Sequence, residues 1–350
     1  MRIATDAGSA SAYIGSGESK PAWRRIADNV AWAARYRAEN KNYYMYGMDR
    51  RDDEHYSQIL AAERAGRDFD RQIEADGSSR AVALIRDKFF FSLVAQSLGY
   101  PSPQTLALLT PEGVDVLHPR RSLSYREFVA EDIQLDGFAK EVGGARGKGA
   151  FVLRVDDGSA WVDGEPVTPH ELAAKVDGQF LVQERIEQHE RLAALHGPSV
   201  NTVRLITVLR GGRAEPVTAA LRVGAGGAPV DNMGAGGLVV GLDLGSGRCY
   251  GRALFKPGRG PEGGRIGSVE HHPDTGIAFD GYAVPFAPEF ADAACRFHED
   301  LGGPRSIGWD IAFTQSAPLI IEANSHWTPA VHATLDPDFM GTFERTGGTG

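Results

Sequence analysis

The chain has 350 residues, more than one domain usually contains, so we expect at least two lobes. Its composition, 42% hydrophobic and 24% charged, is that of a globular protein, and the net charge of −9 argues against a dedicated nucleic-acid partner. Only two cysteines occur, which excludes a disulfide framework and a cysteine-ligated zinc, and no apolar run approaches the ~20 residues of a membrane-spanning helix.

The N-terminal quarter of the chain reads first as a polar segment and then as helix. Residues 1–20 are small and polar and lack the apolar region of a secretory signal, so we expect disorder there and a cytoplasmic protein. Residues 21–75 predict helix. Their first part has one amphipathic face, formed by Trp23, Ile26, Ala27, Val30, Ala31 and Ala34. The aromatic segment 41–56 predicts a helix packed on the rest of the protein, with a sugar-stacking platform as the alternative.

The remaining elements mix helices with short β-rich runs. Residues 80–99 and 124–132 predict helices, the first stopped by a glycine before two prolines. After residue 136, apolar runs of strand length alternate with Gly, Asp and Pro, and only 288–302 predicts another helix. This pattern indicates an α+β fold with antiparallel hairpins, not the strand–helix alternation of a doubly wound sheet.

A glycine-rich loop lies between two predicted strands in 137–155. Lys140 lies in the first strand and Lys148 in the loop, whose glycines allow backbone N–H groups to turn toward an anion. A Walker A loop requires GxxxxGK[ST] before a helix, whereas Lys148 is followed by Gly149 and a strand. The pattern favours a flexible hairpin that folds over a bound triphosphate. A mobile surface hairpin is the alternative.

The segment 180–189 is an apolar strand that runs into polar residues. Such a strand end can offer backbone donors and acceptors to an adenine edge, and a carboxylate beyond it can accept from ribose hydroxyls. A strand edge with ordinary surface charges is the alternative. The polar residues concerned are Gln183, Glu184 and Glu187.

Three oxygen-bearing side chains occur near the C-terminus, on two strands joined by a short turn. Asp310 lies inside an apolar strand, where an unpaired carboxylate is costly, and Glu322 and Asn324 share one face of the next strand. Oxygen ligands are what Mg²⁺ prefers, so these residues predict a metal site. The alternative is a buried Asp310 paired with Arg204 or Arg222.

Four features follow one another along the chain in an order that resembles that of the ATP-grasp superfamily. They are Lys140, the loop GGARGKG, the segment QERI and the late D…E-x-N set. Further motifs resemble, more narrowly, the sugar-transfer associated ATP-grasp family over about residues 80–340. They are IRDK (85–88), GYPSP (99–103), NTVRLITV (201–208), DNMGAGGL (231–238), HHPDTG (271–276) and IGWDIAF…LIIEAN (307–324).

The resemblance implies an ATP-grasp fold of two α+β lobes that clasp ATP. Its domains would be a disordered segment 1–20, a helical extension 21–79, a small lobe with its lid 80–190, and a large lobe 191–345. ATP and two Mg²⁺ ions, with Mn²⁺ as an alternative, would be the cofactors. The partners would be a small-molecule carboxylate and an amine, with no nucleic acid and no membrane, and a homodimer is left open.

The resemblance also implies a role for each matching residue. Lys140 and Lys148 would contact phosphates, the segment around Glu184, Arg185 and Ile186 would hold adenine beside Gln183, and Glu187 or His189 would lie near the ribose. Asp310, Glu322 and Asn324 would hold the metals. Arg204 and Arg222 would face the γ-phosphate or a substrate carboxylate, and Asn232 would lie where the acyl group is activated.

The implied reaction is an ATP-dependent carboxylate–amine ligation through an acyl phosphate. A phosphotransferase in polysaccharide or glycoconjugate metabolism and a non-catalytic nucleotide-binding scaffold are the alternatives. Many carboxylate–amine ligases of the superfamily have an arginine two residues before the first metal aspartate, where this chain has Gly308. Which arginine stabilises the transition state is therefore left open.

Overall fold

The computed structural model describes residues 12–13, 18–50, 53–75, 79–131, 133–144, 149–256, 264–287, 289–336 and 338–345. The chain divides into two compact units. The first comprises Met1–Val82, Gln188–Pro318 and Asn324–Gly350, and the second comprises Ala83–Glu187 with Leu319–Ala323. The predicted lobes, 80–190 and 191–345, have boundaries three residues from those of the second unit. Their assignment as ATP-grasp lobes stays a prediction.

The N-terminal region contains a short strand and two helices. Strand β1 (Ala12–Tyr13) pairs antiparallel with residues 267–268, so the predicted disorder of 1–20 is wrong for these two residues. Helix α1 (Ala22–Tyr36) and helix α2 (Asp53–Ala75) follow. The segment 41–49 between them forms turns, not the predicted helix, because Asn40 accepts from Asn42 N and Gly47 has a φ of 69°.

The turn segment 41–49 nevertheless packs on the body of the first unit, as the sequence predicts. Tyr43, Tyr46 and Met48 are buried in one apolar cluster with Ile59 and Leu254. These aromatic side chains are core residues, so the alternative of an exposed sugar-stacking platform is wrong for Tyr43 and Tyr46.

The second unit begins within helix α3 (Ser79–Arg86), and helix α4 (Lys88–Ser97) follows. The single helix predicted over 80–99 is interrupted at Asp87, whose side chain accepts from Phe89 N and Phe90 N and so starts a new helix. Helix α5 (Tyr125–Ala130) and helix α6 (Pro169–Lys175) each begin with a capping box, formed by Ser124 with Glu127 and by Thr168 with Glu171.

The second unit contains an eight-stranded antiparallel sheet. Its strands are β2 (Thr105–Thr110), β3 (Gly113–Leu117), β4 (Arg120–Leu123), β5 (Leu135–Glu141), β6 (Phe151–Asp156), β7 (Ser159–Val162), β8 (Glu165–Val167) and β9 (Phe180–Glu184). They lie in the order β4-β3-β2-β9-β5-β6-β7-β8. One face of the sheet forms an apolar core with α5 and α6.

A second eight-stranded sheet contains β1 and seven further strands. They are β10 (Thr202–Arg210), β11 (Arg213–Val223), β12 (Leu238–Asp243), β13 (Arg248–Phe255), β14 (Gly267–Val269), β15 (Ser306–Phe313) and β16 (Pro318–Asn324). The strand order is β1-β14-β13-β12-β11-β10-β15-β16. The helices of this part are α7 (Glu190–Leu195), α8 (Glu289–Leu301), α9 (Pro329–Leu335) and α10 (Phe339–Arg345), with a 3-10 turn at Met233–Ala235.

These two antiparallel sheets with interspersed helices confirm the α+β prediction. All eight residues of β15 are buried, which is why its sequence shows no apolar–polar alternation. Cys249 and Cys295 are both free thiols. Among the residues described here, no helix combines the length and the apolar character needed to cross a membrane.

Candidate functional site

The centre of the candidate site is an ion pair between neighbouring strands. Arg204 in β10 lies directly opposite Asp310 in β15. Arg204 Nε donates to Asp310 Oδ1 at 2.6 Å, and Arg204 Nη2 donates to Oδ2 at 3.2 Å. Arg222 of β11 adds a third bond, from Nη1 to Oδ1 at 3.3 Å. One carboxylate is therefore held between two guanidinium groups.

Burial and charge act in opposite directions on Asp310, which is 7% exposed. Burial raises the pKa of Asp310, but the charges of Arg204 and Arg222 and their hydrogen bonds lower it by more, so its pKa lies below the ordinary value. The carboxylate is thus kept ionised in a poorly solvated place. Pairing with both arginines is the arrangement that the sequence offered as the alternative to a metal.

Asp231, which the sequence reasoning did not assign to the site, anchors Arg222 from its other side. Arg222 Nη2 donates to Asp231 Oδ1 at 3.1 Å. Asp231 Oδ2 also accepts from Thr202 N at 3.1 Å and from Thr202 Oγ1 at 2.5 Å. Asp231 opens the motif DNMGAGGL, and Thr202 lies in NTVRLITV, so these motifs were the available signal. Together they fix the guanidinium that reaches Asp310.

Gly308 occupies the position where the superfamily resemblance leads one to expect an arginine. A Cβ built there would lie 3.3 Å from Arg204 Cδ, 3.3 Å from Ile206 Cδ1 and 3.3 Å from Trp327 Cβ. The side chain of Arg204 thus runs past the space above Gly308. An arginine at position 308 would compete with Arg204 for this space. The glycine leaves room for the side chain of Arg204.

The predicted catalytic residue Asn232 shapes its own loop. Its Oδ1 accepts from Ala235 N at 2.9 Å and caps the 3-10 turn. Gly237 N donates to Asn232 O at 3.0 Å, and a Cβ at Gly237 would lie 2.2 Å from Asp231 O, so only glycine fits there. Asn232 has at least this structural role, and its catalytic role stays a prediction.

Two further motifs meet at a buried backbone position, Gly224. Asn201 Oδ1 accepts from Gly224 N at 3.0 Å, and His272 Nε2 contacts Gly224 O at 2.8 Å. A carbonyl only accepts, so His272 donates from Nε2, while its Nδ1 faces Asp274 N at 3.3 Å. Burial lowers the pKa of His272, which keeps the ring neutral. These residues support the loop that follows β11.

The predicted metal ligands are in different circumstances. Asn324 Nδ2 donates to Gly308 O at 3.2 Å, which leaves its Oδ1 for another partner. The Glu322 side chain is half-buried and makes no hydrogen bond or ion pair with any side chain that the structure describes. Asp310 accepts three hydrogen bonds, and Arg222 Nη1 also lies 3.2 Å from its Oδ2, so most of its about four acceptor positions are occupied.

Oxygen donors of this kind fit Mg²⁺ chemically, with Glu322 and Asn324 as the more available ligands and Asp310 as a nearly saturated one. Over the described parts of the chain, no group of three or more His, Cys, Asp or Glu side chains is placed to hold a metal. The predicted set has only two carboxylates and an amide, so it is not a group of that kind. The assignment of Asp310, Glu322 and Asn324 as metal ligands stays a prediction.

The phosphate side of the prediction lies in the second unit. Lys140 lies in β5, opposite Leu181 of β9, and its side chain is half-buried. Lys148 lies outside the described residues. Lys88, the last residue of the motif IRDK but not a predicted site residue, donates from Nζ to Gly144 O in the glycine-rich loop. The first residue of α4 is thus tied to this loop, next to the strand that carries Lys140.

The predicted adenine segment continues from the end of β9, and most of its polar groups already form hydrogen bonds or ion pairs. Glu184 N donates to Gln104 O at 2.9 Å, and Gln104 N donates back to Glu184 Oε1 at 2.9 Å. Gln183 is buried and donates to Pro103 O at 3.3 Å. Arg185 forms an exposed ion pair with Asp136 at 3.3 Å. Gln183, Glu184 and Arg185 therefore have structural contacts with neighbouring residues of the second unit.

The end of the adenine segment enters the first unit. Ile186 is half-buried and Glu187 is exposed. His189 caps α7 by accepting from Arg191 N at 3.1 Å, and its backbone N donates to Phe313 O at 2.6 Å, at the end of β15. Contacts with adenine or ribose stay predictions for these residues.

A comparison with protein-family models identifies the family of this chain. The model described as "Sugar-transfer associated ATP-grasp" matches residues 68–335. This range includes the ion pair of Arg204 and Asp310, the supporting Asp231, and Lys140. A comparison with curated proteins finds no match.

Solved structures with a similar chain path include several ligases. One is the ATP-grasp ligase PsnB complexed with minimal precursor, Mg and ADP, at 17% identity over 77% of this chain and 61% of that one, with a TM-score of 0.37. D-alanyl-alanine synthetase A from Vibrio cholerae O1 biovar eltor is 13% identical over 76% and 61%, with a TM-score of 0.40. The L-amino acid ligase from Bacillus licheniformis is 11% identical over 73% and 43%, with a TM-score of 0.38. The chain spans about three fifths of the length of three of the PsnB chains that it matches.

Proposed function

Because the chain belongs to the sugar-transfer associated ATP-grasp family, we propose that it is an ATP- and Mg²⁺-dependent ligase that joins a carboxylate to an amine. The observation that carries this proposal is the extent of the family match, residues 68–335, which contains Lys140 together with Asp310, Glu322 and Asn324. A chain with a lysine at the predicted phosphate position and oxygen-bearing side chains at the predicted metal positions fits a catalyst better than a scaffold.

The proposed reaction has two steps. A carboxylate oxygen of the acid attacks the γ-phosphorus of ATP, the bond to the ADP oxygen breaks, and an acyl phosphate forms. The amine nitrogen then attacks the carbonyl carbon, phosphate leaves with the bonding electron pair, and the nitrogen loses a proton. Such transfers need charge neutralisation and alignment more than a protein nucleophile.

In this proposal cationic side chains neutralise the phosphates. Lys140 would contact them from β5, Lys148 would be the second contact, and Lys88 holds the glycine-rich loop at Gly144. Bound Mg²⁺ supplies further positive charge. Glu322 and Asn324 would hold the metal, with Asp310 contributing its remaining acceptor position.

The two arginines have separate tasks in the proposal. Arg222 is held by Asp231 and positions Asp310. Arg204 uses Nε and Nη2 for Asp310, and a guanidinium has five N–H donors, so its Nη1 group is available to a γ-phosphate or a substrate carboxylate. We therefore favour Arg204 as the arginine that stabilises the transition state.

Adenine binding in the proposal uses the segment 183–187. Its backbone groups beyond Glu184 would meet the adenine edge, and Glu187 or His189 would accept from the ribose. The partners would be a small-molecule acid and an amine, and a cytoplasmic location follows as the expected setting for an ATP-consuming enzyme.

The proposal is tested by a substrate screen with phosphate release as the readout, using amino acids, short peptides and sugar acids with and without amines. We expect ADP and phosphate only when an acid and an amine are both present. Lys140→Met and Glu322→Ala should abolish turnover, while Lys175→Met, on an exposed part of the same unit, should not.

The products distinguish the alternatives. Release of AMP and pyrophosphate would contradict an acyl phosphate. A stable phosphorylated product formed without any amine would instead establish a phosphotransferase. If Glu322→Ala retained full cellular function, the non-catalytic scaffold would replace both.

A further inference from the structure

Helix α1 turns its apolar face toward solvent. The stripe is defined here as Trp23, Ile26, Ala27, Val30, Ala31 and Ala34, all of them exposed. Its three large members, Trp23, Ile26 and Val30, are 66%, 64% and 62% exposed. Residues three and four apart line one side of a helix, so these six form a continuous surface about 17 Å long at 1.5 Å per residue.

The opposite side of α1 holds the helix on the body of the first unit. Trp32 and Tyr36 are buried there. Asp28 accepts from Lys20 Nζ at 3.1 Å and from Tyr43 OH at 2.8 Å, and Lys20 is 4% exposed. The helix therefore cannot rotate its stripe inward without breaking a buried ion pair and exposing two aromatic side chains.

The large and small side chains of the stripe are arranged so that two antiparallel copies complement each other. In an antiparallel pair of identical helices, residue i of one copy faces residue j of the other where i and j have a constant sum. With the axis between Asp28 and Asn29, Trp23 faces Ala34. Likewise, Ile26 faces Ala31 and Val30 faces Ala27. Every large apolar side chain then meets an alanine, and no charged residue lies within the stripe.

We propose that this stripe is the docking surface for a second copy of the same chain, with the two α1 helices antiparallel about a two-fold axis. Matching large against small side chains lets two helices approach to the usual 8–10 Å. Burial of the stripe removes from water the apolar surface that the first unit leaves exposed.

A lipid surface fits the stripe less well. Helices that lie on membranes have large apolar side chains along the stripe and basic residues along the polar face. Here half of the stripe is alanine. Arg24 and Arg35 each follow a stripe residue by one position, so both lie on the same side of it.

The proposed contact is small. A stripe this long and one helix wide covers a few hundred Å², less than the roughly 800 Å² per partner of a stable interface. We therefore expect a reversible dimer whose proportion rises with protein concentration.

The first test is sedimentation velocity of the full chain at increasing concentration. The wild type should shift toward the dimer mass, and Ile26→Glu with Val30→Glu should stay monomeric at every concentration. Leu98→Glu, at an apolar position outside the stripe that is 52% exposed, is the matched control and should dimerise like the wild type. Thermal melting of all three proteins checks that the fold is intact.

The second test fixes the orientation. Trp23→Cys and Ala34→Cys proteins, mixed and oxidised, should form a disulfide-linked pair. Either protein alone should not, because in the antiparallel pair its two equivalent positions lie about 16 Å apart, beyond disulfide reach. The wild type controls for Cys249 and Cys295.

Three results would overturn the proposal. One is a wild type that stays monomeric throughout, and another is a link formed by Trp23→Cys alone, as in a parallel pair. The third is a monomeric wild type that binds phosphatidylglycerol vesicles through the stripe, with binding lost in the double glutamate variant. None of these bears on ATP-dependent ligation.

Discussion

Arg204 Nε lies 2.6 Å from Asp310 Oδ1, at directly paired positions of β10 and β15. Both side chains are mostly buried, with 18% and 10% of their surfaces exposed. A charge pair in such a place stabilises the fold only while both partners are present, since a single buried charge has lost its hydration. Asp310 is thus as much a structural residue as a predicted metal ligand.

Replacing Asp310 by asparagine should destabilise the protein strongly. The amide keeps the shape but leaves Arg204 and Arg222 without their negative partner, and breaking a buried pair costs about 3 kcal/mol. Urea unfolding without nucleotide measures this loss. Arg204→Lys retains the positive charge and should cost less. An unchanged urea midpoint for Asp310→Asn would mean that the ion pair contributes nothing to folding.

Adding one methyl group at Gly308 should disturb Arg204. The new Cβ would lie 3.3 Å from Arg204 Cδ and 3.3 Å from Trp327 Cβ, and overpacking of this kind costs about 2 kcal/mol. We expect Gly308→Ala to lower the melting temperature and the ligation rate. Gly178→Ala is the control, because a Cβ there meets nothing within 4 Å. Equal melting temperatures for the two variants would contradict the crowding argument.

Asp231→Asn should release Arg222 from its anchor. Asp231 is 7% exposed, and the neutral side chain can no longer balance the guanidinium charge. A loss of about 2 kcal/mol in unfolding free energy and a fall in kcat are expected. The exposed Asp243, whose carboxylate accepts from Ser246, provides a matched Asp→Asn control with little expected effect. Full activity in Asp231→Asn would remove Arg222 from the proposed machinery.

His298 should make the protein sensitive to acid. Its Nδ1 contacts Thr207 Oγ1 at 2.7 Å, and its Nε2 contacts Pro304 O at 2.6 Å, so the neutral ring fits both partners. Burial lowers the pKa of His298 to about 4, whereas an unfolded histidine has a pKa of about 6.5. The unfolded chain therefore takes up a proton first, and stability falls as the pH drops from 6.5 to 4.

The size of this effect at pH 5 is about 2 kcal/mol, from 1.36 kcal/mol per pKa unit. Melting temperatures between pH 8 and pH 4 measure it. His298→Gln should be less stable at pH 8 but should lose less on acidification. The exposed His170 offers a control, since His170→Gln should keep the wild-type profile. An unchanged acid loss in His298→Gln would assign the effect elsewhere, for instance to buried His332.

Predictions of strands and helices from local sequence patterns were correct where residues close in the chain determine the structure. The runs of strand length and the helix over 288–302 appear as β10, β15, β16 and α8. They failed where a single side chain redirects the backbone, as at Asp87, which starts a second helix within the predicted one. The ordered motifs identified the ATP-grasp family, which the family match confirms.

The tertiary structure alone decided which faces are buried and which charges pair. The amphipathic face of α1 is evident from the spacing of Trp23, Ile26 and Val30, but its exposure is not, because Trp32 and Asp28 provide the stronger contacts with the body. Asp310 is evident as a carboxylate in an apolar strand. Its arginine partners, Arg222 and Arg204, lie 88 and 106 residues earlier in the chain, and only strand register brings them to it.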